Sequence, residues 1–263
     1  MNDKNDNTRE DIIAGRNAVL ELLKTDRHVE CVYLQKGLSG TVLKIAAIAK
    51  DKGIVVKDVP QKKLDELCSG ERHQGAAAQV SFVPYSELDD IFKKAEEANS
   101  QPFIIIADEI EDPHNLGAII RSAEAAGAHG LIIPKRRSAG LSLVVSKTSA
   151  GAAAHLPVAR VSNLGFAIET LQSRGVWIYA ADTDGQNWCT LDYSGAVALV
   201  VGSEGRGIGR LIKEKSDFTV SLPMLGSLSS LNASVAAGII MYEIARQRMK
   251  IPARNSLKTG NRN

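Results

Sequence analysis

Residues 222–243 read LPMLGSLSSLNASVAAGIIMYE, two Gly- and Ser-rich turns that run directly into a small-residue apolar stretch. Turn residues followed by an apolar run of this length predict a loop feeding a buried helix, over about residues 234–250. The loop has none of the usual cofactor-loop grammar. Working upstream, the apolar runs FTVSLP (218–223), VALVVG (197–202), VWIYAAD (176–182), GLIIP (130–134) and FIIIAD (103–108) read as strands, with helices expected near 116–126, 144–154, 164–173 and 211–215. Strands so continuously apolar belong to a parallel sheet covered on both faces. Residues 102–250 are therefore expected to form one parallel-sheet α/β domain.

The amino-terminal part repeats the alternation on a smaller scale. A turn at Gly15-Arg16-Asn17 opens an amphipathic helix within 12–24, CVYLQ follows as a strand, and 42–52 reads as a helix stopped by Gly53. IVVKDV, a helix over 61–67 and the strand AAAQVSFV complete a small α/β domain over residues 11–83. Residues 84–101 are charged and weakly periodic, and they read as a linker and hinge. Residues 1–10 and 251–263 are polar and read as disordered tails.

Composition sets outer bounds. The chain has 263 residues, enough for two modest domains, and 44% hydrophobic with 24% charged residues is globular rather than disordered. A net charge of +2 permits RNA binding without demanding it. Cys31, Cys68 and Cys189 are scattered and odd in number, which indicates neither a disulfide framework nor a zinc site. A reducing cytoplasm fits. The first ten residues have no apolar core of a signal peptide, and no run reaches membrane-span length, so no membrane partner is expected.

Two loops at strand ends carry candidate chemistry. Residues 108–117, DEIEDPHNLG, follow the FIIIAD strand at the edge where open α/β sheets place their sites. Asp112 to Asn115 also read as a helix cap. Arg121 lies six residues beyond Asn115 beside Ile119, Ile120 and Ala123, and a guanidinium there must find a phosphate, a carboxylate or water. The second loop, GSEGRGIG (202–209), lacks both the Gly-Lys-Ser/Thr ending of a phosphate loop and the dinucleotide spacing. Glu204 in its turn would repel a phosphate but suits a cationic sulfonium or anchors an arginine. Lys135-Arg136-Arg137 reads as a solvated turn or a phosphate contact. His28, His129 and His155 read as structural.

These segments together resemble the SpoU branch of the knotted RNA methyltransferases. Asn115, Gly117 and Arg121 resemble its first motif, and Gly202-Ser203-Glu204-Gly205 with Gly207 its second. Pro223, Met224, Gly226, Ser230, Leu231, Asn232 and Ser234 resemble its third, with Ala233 where the family usually has Val. Gly15–Val19 and Glu71–Gly75 resemble the ends of a small RNA-binding domain that ribosomal-RNA members carry amino-terminal to the catalytic one. The resemblance implies a deep trefoil knot near 222–232 and S-adenosylmethionine as methyl donor, without a metal. It implies cofactor contacts at Gly202, Leu222, Met224, Ser230 and Leu231, and an active centre of Asn115, Arg121, Glu204 and Asn232. It also implies RNA contacts at Arg16, Asn17, Arg72 and His73, and a homodimer whose site is completed by the partner.

The expected reaction is methylation of a ribose 2′-hydroxyl, most similar to the bacterial enzymes acting on guanosine in 23S rRNA. Three other readings fit the same motifs: a tRNA methyltransferase, a resistance rRNA methyltransferase, and a non-catalytic RNA-binding assembly factor.

Overall fold

The computed structural model describes residues 11–25, 27–37 and 40–252. Of the tails expected over 1–10 and 251–263, residues 1–10 and 253–263 lie outside these residues. In the amino-terminal domain β1 (Ile12–Ala14), α1 (Arg16–Leu22), β2 (Val29–Gln35), α2 (Thr41–Asp51), β3 (Val55–Val59), α3 (Gln61–Leu67) and β4 (Ala76–Val80) follow in order. The sheet order is β1-β4-β2-β3, with β2 and β3 parallel and β4 antiparallel to β1 and β2. Val19, Leu23, Val32, Leu34, Ile45 and Ala76 form its core. β1 falls within the stretch read as turn and helix. Its three residues are too few to show a strand period, and pairing with β4 makes them a strand.

The carboxy-terminal domain comprises α4 (Leu88–Glu97), β5 (Phe103–Asp108), α5 (Pro113–Ala125), β6 (Gly130–Pro134), α6 (Leu143–Thr148), β7 (Val158–Val161), α7 (Leu164–Ser173), β8 (Trp177–Asn187), β9 (Val197–Gly202), α8 (Arg210–Glu214), β10 (Phe218–Ser221) and α9 (Ala233–Arg248). All six strands are parallel, in the order β10-β8-β9-β5-β6-β7.

β5 shows why. Phe103, Ile105 and Ala107 pack with α5 and α9 on one face, while Ile104 and Ile106 pack with α4, α7 and α8 on the other. Successive strand residues point to opposite faces, so a strand apolar at every position needs helices on both.

Three expectations are corrected. Residues 84–101 are not a free hinge: α4 occupies 88–97 of them, its Ile91 is fully buried, and Glu87 N–H donates to Asp90 Oδ2 at 2.9 Å to start the helix. Its charged residues mask the short apolar stripe of Ile91 and Ala95. The helix expected over 144–154 breaks after Thr148, where Ala150 and Gly151 take left-handed φ of 50° and 85°. β7 carries no strand signal of its own, because VARV is only four residues long and contains Arg160.

Candidate active site

The chain runs from β5 to β6 and β7 on one side and returns through β8, β9 and β10 on the other. The crevice where an open sheet reverses strand order, outside the carboxyl ends of its strands, is where ligands bind. Here it lies between β5 and β9, whose last residues Asp108 and Gly202 are paired. The loops that leave these two strands carry Asn115 and Glu204.

Asn115 sits in the first turn of α5, capped by Asp112 through its bond from His114 N–H at 3.0 Å. Its side-chain amide donates to Glu204 Oε1 at 3.0 Å. Asn232 donates to Asn115 Oδ1 at 3.0 Å and to the same Glu204 oxygen. Its own carbonyl oxygen caps α9, accepting from Ser234 N–H at 3.0 Å and Val235 N–H at 3.2 Å. That cap settles the orientation of the Asn232 amide, because its oxygen faces the helix and its NH₂ must face the crevice. Three residues 28 to 117 positions apart thus close a hydrogen-bonded triangle.

The Gly-rich loop is held equally tightly. Ser203 N–H donates to Gly207 O at 3.1 Å and Gly207 N–H to Ser203 O at 2.9 Å. A Cβ at Gly202 would lie 2.2 Å from the carbonyl carbon of Gly207, so no larger residue fits there. Below the loop, Asp108 accepts from Gly209 N–H at 2.7 Å. Burial raises the Asp108 carboxyl above its ordinary value, against the opposing pull of that N–H.

A cavity of about 690 Å³ opens beside the triangle. The positions of all five expected cofactor contacts, Gly202, Leu222, Met224, Ser230 and Leu231, line it. Its volume suits a small organic ligand. Its wall is part apolar, through Val201, Leu222 and Ile240, and part charged, through Glu204, Asp182 and Arg206. With Asp182 paired to Lys213, Glu204 is the carboxylate that this half-apolar cleft offers a cationic ligand.

The motifs did not announce Asp182, Thr183 or Ser229 in this wall. For Asp182 the signal was its place at the end of the VWIYAAD strand. Burial alone would raise the Asp182 carboxyl, but hydrogen bonds from Lys213 and Thr183 hold it below the usual carboxylate range. Lys213 Nζ lies 2.7 Å from Asp182 and 2.7 Å from Asp184. A second cavity of about 290 Å³, lined by Glu109, Glu111, Asp112 and Asn115 among others, shares Ser203, Glu204 and Arg206 with the first.

The structure does not bring Arg121 to this triangle. Six residues beyond Asn115, it lies on a different face of α5 and is exposed, while its neighbours Ile119, Ile120 and Ala123 turn inward. No hydrogen bond or ion pair of Arg121 is present among the described residues.

At the amino-terminal domain, Arg16 Nε donates to Gln74 O at 2.6 Å, which ties the start of α1 to the 71–75 turn. Asn17 and Arg72 are exposed beside it. His73 is a correction to the expected RNA-facing set. It is buried, its Nδ1 accepts from Gly75 N–H at 2.9 Å, and its Nε2 meets Asp65 at 2.8 Å, so both ring nitrogens are used in shaping the turn. His129 is buried as expected of a structural histidine and accepts from Phe103 N–H at 2.9 Å. Among the described residues no helix is long and apolar enough to cross a membrane.

A small α/β arm joined to a parallel-sheet domain with its cavity at the strand reversal defines a methyltransferase domain of the SPOUT fold. Residues 102–242 match the SpoU rRNA Methylase family, and residues 12–86 match a domain described as RNA 2′-O ribose methyltransferase substrate binding. The chain belongs to the SpoU family of RNA methyltransferases.

YacO of Bacillus subtilis (strain 168), described as a TrmH family tRNA/rRNA methyltransferase, is 50% identical over 240 residues, 90% of this chain and 96% of that protein. An AdoMet-bound rRNA methyltransferase from Sinorhizobium meliloti superposes with a TM-score of 0.56 at 26% identity, covering 93% of this chain and 89% of that one. The TrmH/SpoU tRNA-modifying enzyme of A. aeolicus, at a TM-score of 0.53 and 28% identity, covers 61% of this chain and 85% of its own.

Proposed function

We propose that this protein is a cytoplasmic, homodimeric S-adenosylmethionine-dependent methyltransferase that modifies the 2′-hydroxyl of a guanosine ribose in 23S rRNA. The observation that carries the reading is the closed Asn115–Glu204–Asn232 triangle at the mouth of a cavity lined by every expected cofactor position. S-adenosylmethionine, when bound, supplies an activated methyl group on a sulfonium. In our reading Gly202, Leu222, Met224, Ser230 and Leu231 hold it, with the chain threaded as a knot around 222–232.

The protein's own work is to place the ribose and manage a proton. A ribose hydroxyl is a poor nucleophile at neutral pH, and its proton must leave as the oxygen attacks in line. Asn115 and Asn232 position the ribose, and Glu204 keeps their amides in register. Arg121 acts at the hydroxyl and its adjacent phosphate, assisting loss of the proton directly or through that phosphate.

The exposure of Arg121 supports a dimer in which each Arg121 enters the partner's site. Val235, Ile239 and Tyr242 on α9 expose an apolar stripe, 50%, 40% and 54% accessible, at helical spacing. α9 meets α5 where Gly238 faces Ser122, the residue next to Arg121. Burying the stripe against a second copy would bring Arg121 to the interface.

Ribosomal RNA is favoured over tRNA by the amino-terminal domain. The A. aeolicus tRNA enzyme covers only 61% of this chain, whereas the S. meliloti rRNA enzyme covers 93%. Arg16, Asn17 and Arg72 at the tip of this domain are the RNA contacts in our reading.

The test is incubation with labelled S-adenosylmethionine and 23S rRNA, 16S rRNA and bulk tRNA from a strain lacking the protein. Label on one guanosine ribose of 23S rRNA is expected. Label on tRNA overturns the substrate, and no label together with no calorimetric binding of S-adenosylmethionine overturns the enzyme. Arg121→Ala should abolish transfer without loss of fold; retained activity removes Arg121 from the mechanism.

A further inference from the structure

The two domains meet through a buried charge cluster that the proposed chemistry leaves unused. Glu30, on β2 of the amino-terminal domain, is 4% exposed, and Arg160 reaches it from β7 of the catalytic domain. Arg160 Nη1 lies 2.6 Å from Glu30 Oε2, and Nη2 donates to the carbonyls of Glu30 at 3.4 Å and Lys135 at 3.2 Å. Tyr85, from the connecting segment, donates its hydroxyl hydrogen to Glu30 Oε1 and lies with its ring centroid 5.2 Å from the guanidinium.

Leu141 N–H donates to the same Glu30 oxygen at 3.0 Å. A Cβ on the adjacent Gly140 would lie 2.3 Å from the Glu30 carboxyl carbon, so the catalytic domain is moulded to this one side chain. Burial first, then the Glu30 charge, pushes the Tyr85 phenol well above its ordinary value, which keeps it a donor.

A buried ion pair is a weak source of net stability, because desolvation offsets the attraction, but any arrangement that separates the partners is penalised. Here the partners belong to different domains, so the arrangement they protect is the angle between them. β2 leads from Glu30 away from this junction and ends at Gln35, whose N–H donates to Gly75 O at 2.9 Å beside the Arg16–Arg72 tip. Five strand steps make a lever of roughly 17 Å. A tilt of about 10° at its root would carry the tip roughly 3 Å, against a tolerance of about 1 Å for productive placement of a reacting group.

We propose that Glu30, Tyr85 and Arg160 are positioning residues that lock the amino-terminal arm at one angle, so that the span from its tip to the Asn115–Glu204–Asn232 site selects which ribose is methylated. The selection rests on the RNA methylation proposed above; the locked angle does not. Glu30→Gln and, as the milder variant, Tyr85→Phe are made in the full-length chain. The arm angle is read by pulsed electron resonance between spin labels at Leu43→Cys and Phe166→Cys in a Cys189→Ser background. The same variants without labels are assayed on a 23S rRNA fragment.

A broadened distance distribution is expected, with KM for the fragment raised about tenfold, methyl groups spread to neighbouring riboses, and affinity for S-adenosylmethionine unchanged. A distance that stays narrow in both variants overturns the lock. A broadened distance with one methylated ribose and unaltered KM overturns the selection, as does a parallel loss of cofactor affinity, which would mark general damage. If the wild-type protein methylates no RNA, the functional reading fails, and the distance measurement still decides whether the cluster sets the arm.

Discussion

At the sheet edge the candidate catalytic side chains hold one another, whereas at the tip of the amino-terminal domain the most exposed side chains stand on a frame of tight turns. Asn115, Glu204 and Asn232 are each bonded to the other two, and the cap of α9 fixes the amide of the third. At the tip, Gly15 and Gly75 turn at φ of 103° and 81°, Arg16 ties the two loops together through Gln74 O, His73 braces its own turn against Gly75 and Asp65, and Asn17 and Arg72 are exposed. A group that must be placed within a fraction of an ångström for chemistry needs neighbours that lock its rotamer. Contact with a phosphate tolerates a mobile side chain, because charge acts over several ångströms. The lesson is that the bonding pattern around a residue separates the two kinds of work.

The sharpest way to break the contrast is at Glu204, the shared acceptor. Glu204→Ala should lower kcat for methyl transfer by about 10²- to 10³-fold, the scale set by loss of a preorganised polar group, with a far-ultraviolet circular dichroism spectrum like the wild type. A loss below tenfold would mean that the triangle does not organise the site.

The next effect tests a buried histidine outside both sites, His129, whose ring accepts from Phe103 N–H. Burial, followed by the charges of Arg248 and Lys94, pushes His129 down to about 4 from 6.5. The folded state therefore holds the neutral ring, and the unfolded state binds more protons between these values. Stability from this group is fully present above pH 6.5 and is lost as pH falls through 4, a swing of about 3 kcal/mol. Thermal melts of wild type and His129→Gln between pH 4 and 7 should differ in slope; parallel curves would reject the assignment.

Gly202→Ala then probes the loop itself. The added methyl meets backbone rather than a yielding side chain, so a cost of about 1–3 kcal/mol is expected, together with weakened S-adenosylmethionine binding by calorimetry. Smallest are the tip variants, which separate its two roles. Arg72→Ala should lower RNA affinity and reduce the salt slope by about one contact, with an unaltered melting temperature. His73→Ala should cost about 1–3 kcal/mol of stability through the orphaned Gly75 N–H. A reversed pattern would return His73 to the RNA surface.

Much of the fold was legible because it rests on local signals. FIIIAD and VALVVG could only be doubly covered strands, and the five expected cofactor positions, which line one cavity, lie within recognisable loop motifs. What stayed hidden depended on neighbours far away in the chain. Arg121 stands among apolar residues in sequence but not in space, because successive helix residues face different directions. His73 and Arg72 are sequence neighbours with opposite fates, since only pairing with Asp65 and Gly75 turns one inward. The charged residues of 84–101 masked α4, whose burial depends on the sheet beneath it.

By itself the sequence determined the kind of domain, the succession of most of its strands and the loops that carry chemistry, because hydrophobic period and turn residues act over a few positions. Only the tertiary structure decided which of those residues meet. The Asn115–Glu204–Asn232 triangle joins positions up to 117 apart, and the Glu30–Arg160 pair, 130 positions apart, joins two domains. The triangle exists because a parallel sheet brings the ends of remote strands to one edge, and the ion pair because two separate sheets pack together, consequences of the whole topology that no single segment contains.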